Sequence, residues 1–130
     1  MKIMVCFDNS LAAHKALTIA HLQAEFLKPI IYVATSVEKG LEKDLAYIKN
    51  LEKDLKSAKG RFDVEGIPCE THILYHNQTP GEDLIHFAEQ NKVDMIFIGV
   101  KKTSRVDKML FGSTALHVIM EAPCPVLTVK

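Results

Sequence analysis

Short apolar runs alternate with amphipathic stretches along this chain, and that alternation restricts the fold more than any other feature. Lys2–Phe7, Ile30–Ala34, Cys69–Tyr75, Met95–Ile98 and the closing stretch Pro123–Val129 are short, rich in apolar residues and bounded by turn residues, as buried strands are. Between the first two, Leu11–Leu27 carries Ala13, Ala16, Leu17, Ala20, Ala24 and Leu27 on one stripe, small enough for a helix to lie close on a sheet. Pro29 ends it, and Thr35-Ser36 leads into a charged loop after the second strand. From Leu41 onward, Leu45, Ile48, Leu51, Leu55, Ala58 and Phe62 recur three or four apart, predicting a second helix with a solvated charged face. Thr79-Pro80-Gly81-Glu82 spells a third helix start, with Thr as cap, Pro at the first helical position and Glu three after the cap. A fourth helix opens at Gly112-Ser113-Thr114 and closes near Ile119-Met120.

The pattern β-α-β-α-β-α-β-α-β implies one α/β domain over residues 1–130, a parallel sheet with helices on both faces. For five strands the spatial order is 3-2-1-4-5. Ligands in such sheets bind beyond the strand C-terminal ends, where the order reverses. Here the reversal lies between strands one and four, whose ends carry Asp8 and Gly99.

The stretch after Gly99 is long for a connection in a compact domain. It carries Lys101, Lys102, Arg105 and Lys108 against Asp107, and leads into Gly112-Ser113-Thr114 at a helix start. Free backbone N–H groups and the positive end of a helix favour an anion there. The residues fit a phosphate-binding loop; they also fit a solvated connector with a Gly-Ser cap. Asp8 is the only carboxylate placed at this crevice, either as an acceptor for a ribose hydroxyl or as a turn and cap residue. Ser10 or Asn9 caps the helix that follows.

Several function classes drop out. Net charge is zero, so no global field draws nucleic acid or an anionic membrane. No apolar run is long enough to span a bilayer, and the N-terminus lacks a signal-peptide layout, which predicts a cytoplasmic protein. Cys6, Cys69 and Cys124 are widely spaced and read as small hydrophobes. The pairs His14/His21 and His72/His76 lack zinc spacing with a third ligand nearby. The third strand ends in Tyr75-His76-Asn77 without a receiver aspartate, and Walker A, G-x-G-x-x-G and G-x-S-x-G sequences are absent.

Taken together, several segments resemble the universal stress proteins over essentially the whole chain. They are the first strand ending in Asp8 with Ser10 and an Ala-rich helix, Asp94–Gly99, Phe111-Gly112-Ser113-Thr114, and Ala122-Pro123-Cys124-Pro125-Val126. The resemblance implies a flavodoxin-like, three-layer α/β/α fold with the order 3-2-1-4-5. It implies homodimers, often through the last strand, and in many members ATP at the crevice. By resemblance, Asp8 holds the ribose, the Val33 backbone meets adenine, and Gly99, Gly112, Ser113 and Thr114 hold the phosphates. ATP-binding members carry G-x-x-G, nine residues, then G-S or G-T. Gly99 and Gly112-Ser113 match that spacing, while Lys102 stands at the second glycine and offers charge where a glycine would allow close backbone approach. Lys101 stands beside it.

The sequence thus predicts an adenine-nucleotide-binding regulatory protein, with ATP, or AMP or ADP, as ligand and Mg2+ able to accompany ATP. It offers no base or metal cluster for efficient phosphoryl transfer, so at most a slow ATPase. The alternative is a dimeric interaction module of the same fold that binds no nucleotide. Val126–Val129, apolar or β-branched and at the sheet edge, predicts pairing with a second copy.

Overall fold

The computed structural model describes residues 1–75, 78–101 and 112–130. In chain order these form β1 (Lys2–Cys6), α1 (Leu11–Leu27), β2 (Ile30–Ser36), α2 (Leu45–Asp63), β3 (Cys69–Leu74), α3 (Pro80–Gln90), β4 (Met95–Gly99), α4 (Ser113–Glu121) and β5 (Val126–Val129). The strands pair in parallel in the order β3-β2-β1-β4-β5. This is the expected flavodoxin-like arrangement, with the strand order reversing between β1 and β4.

Strand alternation divides the core into two layers. Ile3, Val5, Ile31, Val33 and Phe97 face α1 and α2, packing on Ala16, Leu17, Ala20, Leu55 and Phe62. Met4, Cys6, Tyr32, Ala34, Ile96 and Ile98 face α3 and α4, packing on Leu84, Ala88, Ala115 and Val118. β1, β2 and β4, covered on both faces, read as nearly continuous apolar runs.

Local chemistry sets most boundaries. Ser10 Oγ accepts from the Ala13 N–H at 3.1 Å, starting α1. Lys28, in the left-handed region at φ 46°, ends it with an N–H bond to the Ala24 carbonyl. Thr79 Oγ1 accepts from the Glu82 N–H, with Pro80 opening α3.

Element ends shift by one to a few residues from the sequence expectation, at β1, β3, β4 and β5 among others, and two of the shifts have a clear cause. α2 starts at Leu45, because Asp44 takes the cap and its Oδ1 accepts from the Tyr47 N–H at 3.1 Å. Leu41 keeps the period but lies in the turn before the helix. The stripe is also less buried than its period suggests: Leu55, Ala58 and Phe62 reach the core, while Leu45 is 75% exposed. β2 runs to Ser36, because Thr35 and Ser36 find partners in Ile73 and Leu74 of β3.

Candidate functional site

A cavity of about 330 Å³ opens beyond the C-terminal ends of β1, β2 and β4. β1 and its extension contribute Cys6, Phe7 and Asp8; β4 and its extension contribute Ile98, Gly99, Val100 and Lys101. α4 supplies its N-terminal residues Gly112–Ala115, and Pro80 and Leu84 come from α3. Ala34, Thr35 and Ser36 from β2, with Glu38 beyond them, form the remaining wall.

Asp8 is fixed by the turn that carries it. Its Oδ1 accepts from the Ser10 N–H at 3.0 Å, across Asn9 in the left-handed region at φ 61°. Asn9 Oδ1 meets His14 Nε2 at 2.8 Å, and the His14 ring stands edge-on to Phe7. The turn therefore positions the Asp8 carboxylate while its Oδ2 has no hydrogen-bond partner among the described residues. The turn reading of Asp8 holds, and the same residue lines the cavity.

The N-terminus of α4 is a different kind of wall. Gly112 takes the cap position at φ −59° and ψ 157°, and no side chain caps the helix. The first helical backbone bond runs from the Leu116 N–H to the Gly112 carbonyl at 3.0 Å. The N–H groups of Ser113, Thr114 and Ala115 precede that bond and have no partner within the helix. They lie at the positive end of the helix, with the Ser113 and Thr114 side chains as further donors.

Cys6 forms part of the cavity's inner wall. Burial, with smaller contributions from Asp8 and Cys124, pushes its thiol up to about 12, so at neutral pH it is a protonated hydrophobe rather than a nucleophile. No histidine lines the cavity among the described residues. His21 instead meets Glu65 at 2.9 Å, and His72 stacks against Phe87 with ring centroids 4.7 Å apart. Among the described residues no group of three or more His, Cys, Asp or Glu is gathered as a metal site.

The structure thus brings Asp8, Gly99, Lys101, Gly112, Ser113 and Thr114 to one cavity. Val33 is fully buried in the layer against α1 and α2, and its neighbours Ala34–Ser36 reach the cavity instead. Lys102, Arg105, Asp107 and Lys108 lie outside the described residues, as do His76 and Asn77. Asp8 is not the only carboxylate near the crevice: Glu38 also lines the cavity. Behind the wall stands Asp83, 1% exposed, whose Oδ2 accepts from Ser36 Oγ at 2.7 Å. The hydroxyl pair Thr35-Ser36 at a strand end is a sequence signal that could have found this wall. Asp83 gives none, since an acidic residue in a first helical turn is ordinary.

The chain matches the model of the universal stress protein family over residues 1–130. It is 34% identical over 79 residues to a universal stress protein of Methanocaldococcus jannaschii, a match covering 61% of this chain and 45% of that protein. The structure of a universal stress protein from Archaeoglobus fulgidus superposes with a TM-score of 0.86 at 30% identity, covering 100% of this chain and 93% of that one. The universal stress protein from Archaeoglobus fulgidus in complex with dAMP superposes with a TM-score of 0.84 at 29% identity, covering 100% and 98% of the two chains.

Proposed function

We propose that this chain, which belongs to the universal stress protein family, binds an adenine nucleotide in the cavity at the switch point and acts as a regulatory protein without strong catalysis. The observation that carries this reading is the uncapped N-terminus of α4 sharing one cavity with Asp8. The free N–H groups suit a phosphate, and Asp8 suits a ribose hydroxyl. Gly99 and Lys101 complete the phosphate side, with Lys102 the next residue. On the base side Val33 is the contact that the family resemblance implies, and Ala34–Ser36 are the β2 residues that line the cavity. The Archaeoglobus fulgidus protein in complex with dAMP supports an adenine nucleotide as the ligand.

ATP is the ligand we favour, with ADP and AMP as relatives of the same chemistry and Mg2+ accompanying ATP. A hydrolytic enzyme is disfavoured because the cavity lacks a histidine among the described residues and its cysteine is held protonated. We place the protein in the cytoplasm; among the described residues no helix is long and apolar enough to cross a membrane. We also propose a homodimer through β5. A second reading, an interaction module that binds no nucleotide, draws on Lys102 in place of the second motif glycine.

Calorimetric titration with ATP and AMP tests the first reading. Saturable heat at micromolar to low-millimolar nucleotide is the expected result. No heat and no chemical-shift change at millimolar ATP would leave the interaction module.

A further inference from the structure

The β2 wall of the cavity offers ligands an unusual chemistry. Ser36 lines the cavity, and its Oγ lies 2.7 Å from Asp83 Oδ2. A serine hydroxyl has one proton to donate and two lone pairs. Here the proton goes to the carboxylate, so the oxygen that remains for a ligand accepts hydrogen bonds only. Asp83 holds that proton firmly for a physical reason. Its other oxygen, Oδ1, is buried with no hydrogen-bond partner, which leaves Ser36 as the donor this carboxylate has among the described residues. Releasing Ser36 would strip a buried carboxylate. Glu38, also on this wall, is a second group that accepts and does not donate when ionised.

Strand order places this wall relative to the rest of the site. β4, β1 and β2 are neighbours in the sheet, about 4.8 Å apart. The α4 N-terminus follows β4, Asp8 follows β1, and Ser36 ends β2. A nucleotide with phosphates at Gly112–Thr114 and ribose at Asp8 therefore directs its base toward Ser36. Pro80 and Leu84 of α3 add apolar surface to the same cavity.

We propose that Ser36, its hydroxyl proton held by buried Asp83, is a specificity-determining residue that presents an acceptor to the base and so selects a 6-amino purine over its 6-oxo counterpart. Asp83 is the positioning residue that fixes this polarity. The proposal rests on the reading of the cavity as a nucleotide site. A 6-amino group donates to Ser36 Oγ, whereas a 6-oxo group sets two acceptors against each other and leaves both unpaired.

The test compares ATP with ITP, which carries an oxo group in place of the 6-amino group, by calorimetry on three proteins whose folding is checked by thermal melts. The unmodified protein is expected to bind ATP at least about tenfold more tightly than ITP. Ser36→Ala should weaken ATP, relieve the acceptor–acceptor conflict with ITP and bring the ratio close to one. Asp83→Asn should shrink the preference for ATP, because a carboxamide can donate to Ser36 Oγ as well as accept from it and so no longer holds the serine proton away from the ligand. A merely structural pair would weaken both nucleotides alike and preserve their ratio. Equal affinities in the unmodified protein, or an unchanged ratio in Ser36→Ala, overturns the proposal while leaving nucleotide binding intact. Should neither nucleotide bind, the nucleotide reading fails and the proposal falls with it. If Asp83→Asn does not fold, the Ser36→Ala ratio alone decides.

Discussion

Gly99 presses against the first turn of α1 so closely that a Cβ there would stand 2.4 Å from the Ala12 carbonyl carbon and 2.6 Å from the Ala13 nitrogen. Both are backbone atoms, which cannot swing aside as a side chain would. The end of β4 must therefore be a bare backbone if α1 is to lie this near the switch point. Gly112, the other glycine matched to the nucleotide motif, has no atom within 4 Å of its Cβ position and an ordinary backbone conformation. The two glycines serve different ends: Gly99 answers to packing, and Gly112 leaves space above a helix terminus.

That contrast predicts unequal stability outcomes. Gly99→Ala should destabilise the fold by about 1–3 kcal/mol, the usual cost of overpacking. Gly112→Ala should cost less, no more than about 1 kcal/mol, the advantage glycine holds over alanine at a helix cap. Urea or thermal unfolding of the two variants side by side measures both. A Gly99→Ala protein as stable as its parent would mean that α1 shifts freely.

For ligand binding the order reverses. Gly112→Val should remain folded yet weaken ATP more than Asp8→Asn does, because a branched side chain covers the α4 N–H groups. Asn at position 8 keeps a side-chain oxygen for the Ser10 N–H and for a ribose. Calorimetric dissociation constants for the three proteins decide the ranking. Equal affinity in the valine variant and the parent would remove the helix terminus from the site.

Burial of the Cys6 thiol gives a pH dependence with a definite sign. Its value is raised from the ordinary 9.0 to about 12, so above pH 9 the unfolded chain loses this proton while the folded protein keeps it. Stability from this group is complete below pH 9 and is lost as pH rises toward 12. Cys69, raised to about 11 by burial, acts in the same direction. Unfolding free energies across pH 7–11 should fall at the alkaline end, and more shallowly in Cys6→Ala than in the parent. Parallel profiles for parent and variant would show that this thiol ionises equally easily in both states.

The β5 edge predicts assembly. β5 pairs with β4 and has no further strand beside it among the described residues, while Leu127 is 38% exposed. The four residues Val126–Val129 carry no charge to discourage pairing. Antiparallel addition of a second copy would satisfy the free backbone groups and create a two-fold interface. Leu127→Lys should remain folded and sediment as monomer at concentrations where the parent is a dimer. A parent protein that is monomeric at tens of micromolar would rule out a stable dimer through this edge.

The sequence by itself determined what depends on neighbours along the chain. Ser10, Pro29, Thr79 and Pro80 punctuate helices by their own backbone chemistry, and the alternation of apolar runs with helical periods leads to the sheet order. Asp8 and Gly112-Ser113 were legible as cavity residues because they sit immediately after a strand and at a helix start, positions a parallel sheet sends to one end. Tertiary structure decided what depends on distance in space. Leu41 and Leu45 share the helical period with Phe62, but Asp44 captures the start of α2, and Leu45 lies where no layer covers it. Ser36 became a strand residue because β3 offered it a partner. Asp83 looks like any first-turn acid in the sequence; only folding carries it 47 positions back to Ser36. A buried carboxylate must find its donor wherever the packed chain supplies one, and sequence proximity carries no information about where that is.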